Sequence, residues 1–107
     1  MIPWWFYLVA ILAAALLTNG VPHFVNGISG REFPSPFSGG PGTLDSATHN
    51  VFWGAGNLIV GGLLLWVIRD GLASWTIVVE LVVVAVGCAA FLGNVFAHPE
   101  KYGRRRS

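Results

Sequence analysis

Two long stretches of this 107-residue chain contain no charged side chain, and they limit what the chain can fold into. No Asp, Glu, Lys or Arg occurs in residues 1–30, and none occurs in residues 46–68. Charged residues make up 10% of the sequence, against about 25% in soluble domains. A soluble protein this small needs a polar surface that these stretches do not supply, whereas a bilayer removes that need. The sequence therefore predicts an all-α membrane protein with three transmembrane helices.

The first predicted helix spans about residues 3–18 and is followed by a long loop over residues 19–47. Asn19-Gly20 and then Pro22 are typical of a helix end, because Gly and Pro both interrupt a helix. The start of the chain lacks the basic residues of a signal peptide, so we expect a retained span. The loop is rich in Gly and Pro but also contains phenylalanines, which we expect at the membrane interface or against helix ends.

The second predicted helix spans about residues 48–68 and the third about residues 74–97. The turn Arg69-Asp70-Gly71 between them is short and polar. We therefore expect these two helices to form an antiparallel hairpin. The whole chain is then a single membrane domain that ends in a basic tail over residues 98–107.

The basic residues predict an orientation. Four of the six Lys and Arg residues lie in the tail, namely Lys101, Arg104, Arg105 and Arg106. Basic loops favour the cytoplasmic side, so we expect the tail and the Arg31 loop in the cytoplasm and the N-terminus outside. A tail this short is better explained as an anchor beside a helix end than as a nucleic-acid contact, and no nucleic-acid partner is predicted.

Polar residues and glycines recur every seven residues on the last two predicted helices. On the third helix these residues are Glu80, Gly87 and Asn94. On the second helix they are Asn50 and Asn57, with Gly61 beside them. Residues seven apart share a helix face, small residues let backbones approach, and amides bond across the gap. The spacing predicts a polar seam between these two helices, serving either helix packing or a conduction path.

Glu80 is the residue of this seam that is best suited to a chemical role. A carboxylate within the hydrocarbon is rare and costs a few kcal/mol or more. Three interpretations remain open: a hydrogen-bonding Glu between helices or at the interface, a proton- or cation-handling group, and a salt bridge to Arg69.

A second candidate site lies around the long loop, at His23, Phe24, Arg31 and His49. His23, His49 and His98 are all expected near the same membrane face, which leaves a metal or haem function as an alternative. However, no His-x3-His or His-x2-Glu spacing is present, and Cys88 lies in an apolar run elsewhere. We therefore predict no metal site and no cofactor. No nucleophile, base and orienting residue form a recognisable set, so no enzyme activity is predicted.

Residues 19–65 carry a recognisable motif pattern. It consists of NGVPHF, a Gly-x-x-Gly step at Gly27 and Gly30, FPSPF, and NVFWG at the start of a helix. This pattern resembles a family of small bacterial membrane proteins with no established activity. The resemblance implies a protein of the bacterial envelope and no catalytic role. We expect its location to be the bacterial inner membrane.

Together these features predict a non-enzymatic accessory or interaction subunit, whose partners are the lipid bilayer and either copies of itself or a larger membrane protein. The alternative is a small oligomeric proton- or cation-coupled transporter or channel that uses Glu80. A third possibility is a metal- or haem-binding membrane protein that uses its interfacial histidines.

Overall fold

The computed structural model describes residues 1–39 and 42–102, and three long helices make up most of this length. They are α1 (Trp4–Ile28), α2 (Ala47–Val67) and α3 (Trp75–Ala97). All three are long and apolar enough to cross a membrane, so the chain is an all-α, multi-pass membrane protein, as predicted. A 3-10 helix, Arg69–Ala73, joins α2 to α3, and a single turn, α4 (Pro99–Tyr102), follows α3.

α1 continues to Ile28, so the prediction that it ends near Thr18 is wrong. Pro22 has no N–H and removes one helical hydrogen bond, an effect of about 3 kcal/mol in a helix interior. The helix nevertheless continues through Pro22, and this segment packs closely against α2, with Gly54 of α2 against Phe24. Neighbouring helices commonly make Pro and Gly tolerable within a membrane span.

The actual end of α1 is set by Gly30, whose φ is +75°. The Arg31 N–H donates to the Asn26 carbonyl at 2.9 Å, and the Gly30 N–H donates to the Gly27 carbonyl at 3.0 Å. These two bonds form the Schellman arrangement, in which glycine adopts a positive φ without a steric penalty. The loop therefore covers residues 29–46, rather than 19–47 as predicted.

α1 and α2 run antiparallel and approach closely at glycines. A Cβ atom added to Gly27 would lie 2.6 Å from the Val51 nitrogen, and one added to Gly54 would overlap the Phe24 backbone. Such distances are far below van der Waals contact, so no larger residue fits without displacing a helix. In lipid, this backbone contact replaces the exclusion of water as the main force between helices.

The predicted polar face of α2 exists, but its partner is α1 rather than α3. Asn50 and Asn57 are buried on this face, and so is Gly61. A Cβ on Gly61 would lie 2.7 Å from Leu17 Cγ of α1. Because α1 ends ten residues later than predicted, it runs beside α2 along almost its whole length and occupies this face.

In the α3 half of the predicted seam, Gly87 does not pack against α2. It has no atom within 4 Å of the position its Cβ would take, and Asn94 is exposed. Over the described residues, the backbone of α3 lies close to that of α1 and hardly approaches that of α2. The predicted hairpin is therefore correct in its short connection but wrong in its packing.

A small apolar cluster joins the three helices where Arg69–Ala73 connects α2 to α3, here called the turn end. Its buried members are Phe6, Ala10, Ile68 and Ile77. The Tyr7 and Thr76 hydroxyls share a 2.9 Å hydrogen bond there. α1 and α3 thus begin side by side and run parallel, with α2 antiparallel to both.

The close approach of α1 and α2 predicts different effects for two neighbouring glycines of α2. We expect Gly54→Ala to lower the free energy of unfolding by about 1–3 kcal/mol, because its Cβ meets the Phe24 backbone. Gly56→Ala is the matched control: it has open space, and alanine favours a helix by up to about 1 kcal/mol. Unfolding by SDS titration in mixed micelles, followed by circular dichroism, measures both. Equal effects of the two substitutions would contradict this packing.

Candidate functional site

The strongest candidate site lies at the opposite end of the bundle, here called the loop end, where residues 29–46 join α1 to α2. His23 near the end of α1 is 3% exposed, and Asn50 on α2 is fully buried. His23 Nδ1 lies 2.8 Å from Asn50 Oδ1. This bond links the two helices one turn from the loop.

The surroundings of Asn50 assign the tautomer of His23. Asn50 Nδ2 donates to the carbonyls of Phe33 at 2.8 Å and Ser46 at 3.0 Å. Because the amide nitrogen is committed to carbonyls, Oδ1 must be the acceptor of the bond from His23. The proton is therefore on Nδ1, and Nε2 of the neutral ring is a hydrogen-bond acceptor.

A second polar pair links the same two helices deeper in the bundle. Asn19 Nδ2 donates to Asn57 Oδ1 at 3.1 Å, and Asn57 Nδ2 donates to the Trp53 carbonyl at 2.8 Å. Hydrogen bonds of this kind contribute about 0.6–2 kcal/mol each in membrane proteins. The pair also fixes the amide of Asn19, four residues before His23.

Aromatic rings from every part of the fold surround the His23 imidazole. Its ring centroid lies 5.3 Å from Phe33 of the loop, 6.4 Å from Trp53 of α2 and 6.3 Å from Phe96 of α3, all edge-on. Phe33 and Phe96 also contact each other at 4.7 Å. His23 is therefore the point at which α1, α2, α3 and the loop meet.

A cavity of about 210 Å³ lies beside this imidazole. It is lined by Asn19, His23, Pro34, Ser35, Pro36, Trp53, Val95 and Phe96. The Trp53 indole N–H is buried and has no hydrogen-bond acceptor within the described part of the chain. An unpaired buried N–H costs about 1–3 kcal/mol.

The loop covers this cavity through a set of hydrogen bonds in residues 33–38 and 42–45, here called the strap. Phe33 and Asp45 exchange two backbone hydrogen bonds, of 3.0 and 3.2 Å. The buried Ser35 hydroxyl donates to Asp45 Oδ2 at 2.6 Å, and Asp45 Oδ1 lies 2.8 Å from His49 Nδ1. The strap therefore has a fixed conformation over the loop end.

Asp45 carries the charge that holds the strap. The Ser35 hydroxyl, followed by the His49 imidazole and the Ser46 N–H, holds the pKa of Asp45 below the ordinary value of an aspartate, while partial desolvation opposes them. Asp45 is therefore ionised at neutral pH. Asp45 is not among the residues that line the cavity.

The four residues of the predicted loop site do not form one cluster. His23 and Phe24 lie on α1 rather than in the loop, because α1 continues to Ile28. Of the four residues, only His23 lines the cavity. Arg31 is exposed, and its Nε donates to Asn26 Oδ1 at 2.8 Å. His49, also exposed, lies in the first turn of α2, where the Ser46 hydroxyl caps its N–H.

The remaining histidine, His98, follows the end of α3, and its Nδ1 lies 3.5 Å from Glu100 Oε1. In residues 1–39 and 42–102, no group of three or more His, Cys, Asp or Glu side chains is placed to hold a metal ion.

Glu80 lies away from this cluster, in the first third of α3. Its Oε1 atom is buried and has no hydrogen-bond partner among the residues that the structure describes. The salt bridge to Arg69 is not formed; the Arg69 guanidinium instead lies 4.3 Å over the Trp66 ring. Glu80 is thus a second, separate polar feature within the membrane-spanning part.

Sequence reasoning missed five residues of the loop-end site: Asn19, Ser35, Trp53, Val95 and Phe96. The spacing contained a signal for two of them. Asn19 is four residues before His23, and Trp53 lies between Asn50 and Asn57, so each shares a helix face with a residue that was identified. The sequence gives no comparable signal for Ser35, Val95 or Phe96, whose positions depend on the strap and on α3.

Comparisons with models of protein families, with curated proteins and with solved structures find no match to this chain.

Proposed function

We propose that this chain is a non-enzymatic membrane subunit that assembles through the outer surface of α3, with copies of itself or with a larger membrane protein. The observation that carries this proposal is the small buried fraction of α3. In an apolar stretch of 18 residues in α3, 6% of the residues are buried, against 28% in such a stretch of α1 and 22% in one of α2. α1 and α2 pack against each other over most of their length. α3 packs one side against α1, and the rest of its surface is exposed.

The residues on the outer side of α3 are those of a helix-packing surface. This outer α3 face consists of Val83, Gly87, Ala90, Asn94 and Ala97, spaced four and three residues apart and all exposed. Glycine inside a helix costs about 1 kcal/mol relative to alanine, which close packing can offset. The α1–α2 interface uses the same chemistry, with glycines and asparagines seven residues apart on α2. A further helix fits the outer α3 face in the same way.

Crosslinking in native membranes tests this assembly. In a Cys88→Ala background, we expect Ala90→Cys on the outer α3 face to give larger species with a short bismaleimide. Phe52→Cys, equally accessible on α2, is the matched control and should give few. Adding Gly87→Leu should reduce the Ala90→Cys product severalfold, because the side chain separates the helices, whereas Gly62→Leu on α2 should not. The proposal fails if Ala90→Cys gives no larger species, or gives no more than Phe52→Cys.

The proposed location is the bacterial inner membrane, with the loop end and the C-terminus in the cytoplasm. Arg31 and Lys101 lie at the loop end, and Arg69 lies at the turn end. Three further arginines follow in the sequence, Arg104, Arg105 and Arg106, which lie outside the described residues. An excess of basic residues favours the cytoplasmic side. The bacterial origin rests on the resemblance of residues 19–65 alone.

Labelling of single cysteines with a membrane-impermeant maleimide measures this orientation. In intact cells, again with Cys88→Ala, we expect Ala73→Cys at the turn end to react. Leu44→Cys in the strap should react only after the cells are permeabilised. Both positions are exposed, so accessibility within the protein does not distinguish them. The opposite pattern would place the loop end outside.

A second candidate function is proton or cation movement through an oligomer. The buried Oε1 of Glu80, which has no partner among the described residues, favours it. Carboxyl groups within the membrane commonly mark ion paths, but three helices do not enclose one, so neighbouring subunits would have to complete it. We expect Glu80→Gln to abolish flux into liposomes without loss of helical content, because glutamine cannot release a proton or balance a cation. Glu100→Gln, an exposed carboxyl after α3, is the control. Equal flux in both variants, or none in the parent protein, would rule this function out.

A further inference from the structure

A second pocket at the loop end, here called the aromatic pocket, is open to the surroundings of the protein and lined by four rings. Its volume is about 370 Å³, and its walls are Phe37 of the strap and His49, Phe52 and Trp53 of α2. The Phe37 and Trp53 rings are perpendicular, with their centroids 5.5 Å apart. Phe37 and Phe52 are each 71% exposed, so a molecule outside the protein can reach both phenyl rings.

The charge beside the aromatic pocket is negative. Asp45 is ionised at neutral pH, and its Oδ1 lies 2.8 Å from Nδ1 of His49. A carboxylate can only accept hydrogen bonds, so a neutral His49 imidazole carries its proton on Nδ1, and its Nε2 is an acceptor. The loop over residues 29–46 contains one Arg, one Glu and one Asp, which gives it a formal net charge of −1.

These groups together suit an organic ammonium ion. Aromatic rings attract a cation that lies within about 6 Å of the ring centroid, and aromatic pockets recognise ammonium groups in this way. The chain makes such a contact at the turn end, where the Arg69 guanidinium lies 4.3 Å over the Trp66 ring. In the described part of the chain, no Lys or Arg lines the aromatic pocket, so its rings are available to an external cation.

The position of the aromatic pocket in the membrane indicates where this ion comes from. With 21 residues, α2 is about 32 Å long, close to the thickness of a hydrocarbon core of about 30 Å. The three α2 residues of the pocket belong to the first two turns, which therefore lie where acyl chains meet headgroups. Zwitterionic phospholipids carry an ammonium group at this depth.

We propose that the aromatic pocket binds the ammonium group of a zwitterionic phospholipid, phosphatidylethanolamine or phosphatidylcholine. The ammonium lies among the rings of Phe37, Phe52 and Trp53, and Asp45 supplies the counter-charge from behind His49. The strap holds Phe37 in place, because its N–H donates to the Ser35 hydroxyl at 3.1 Å. The site does not include the outer α3 face, so this proposal and the proposed assembly can fail independently.

Competition between lipids for the full chain tests the site. The protein in a mild non-ionic detergent receives equal amounts of phosphatidylethanolamine, phosphatidylcholine and phosphatidylglycerol with identical acyl chains. Native mass spectrometry then identifies the first lipid bound. We expect each zwitterionic lipid to exceed phosphatidylglycerol at least about fivefold, the effect of two exposed cation–π contacts. The basic tail attracts the anionic lipid instead, so it cannot produce this preference.

Substitutions of Phe37 separate the attraction of a cation from apolar contact. Phe37→Leu keeps an apolar side chain without the ring and should lower the preference about threefold, the value of one exposed cation–π contact. Phe37→Trp should keep or raise it, because an indole attracts a cation more strongly than a phenyl ring. Asp45→Asn removes the counter-charge and should also lower it. Phe91→Leu makes the same change at an exposed position on α3 and should have no effect.

Glycerophosphocholine, the headgroup without acyl chains, tests whether the ligand is a lipid. In large molar excess it should not displace the bound lipid, because the chains contribute apolar contacts that the free headgroup lacks. Displacement would indicate a soluble ammonium compound and would overturn the lipid proposal. Equal binding of phosphatidylglycerol and the zwitterionic lipids, or an unchanged preference in Phe37→Leu, would overturn the site itself.

Discussion

The rest of the structure depends on the backbone contact between α1 and α2. Where Gly27 meets Val51 and Gly54 meets Phe24, the helices are too close for any side chain between them. At this separation the short amides of Asn19 and Asn57 reach each other, and so do His23 and Asn50. In lipid, where apolar surface gains little by burial, such close packing is the main available source of helix affinity. The glycines thus bring the polar groups together, rather than the reverse.

The same contact explains how a polar cluster is tolerated in a membrane span. The Asn50 Oδ1 accepts a hydrogen bond from His23, and its Nδ2 donates to backbone carbonyls of the loop. Both ends of this buried amide are therefore hydrogen-bonded. The cluster lies at the loop end, where the strap supplies carbonyl groups that a regular helix does not offer. The Trp53 N–H is the exception in this cluster, because it is buried without a partner among the described residues.

The sequence predicts the spans well where local signals and packing agree. The second and third helices differ from their predicted bounds by one residue at each end or less, because Ser46 caps α2 and the apolar runs end at polar residues. The end of α1 was missed because Asn19-Gly20 and Pro22 are local stop signals, and only α2 makes the helix continue. Periodicity identified Asn50, Asn57 and Gly61 as one face. It does not identify the helix opposite, so α3 was predicted where α1 lies.

The pattern of contacts also has a consequence for biosynthesis. A ribosome delivers α1 first, α2 second and α3 last, and the first two helices already contain both sides of the closest interface in the fold. α2 and α3, although joined by a short connection, keep their backbones apart, and α3 packs mainly against α1. The order of synthesis therefore matches the order of packing: a two-helix unit forms in the membrane before α3 emerges. The last helix then docks on the side of α1 that α2 leaves open.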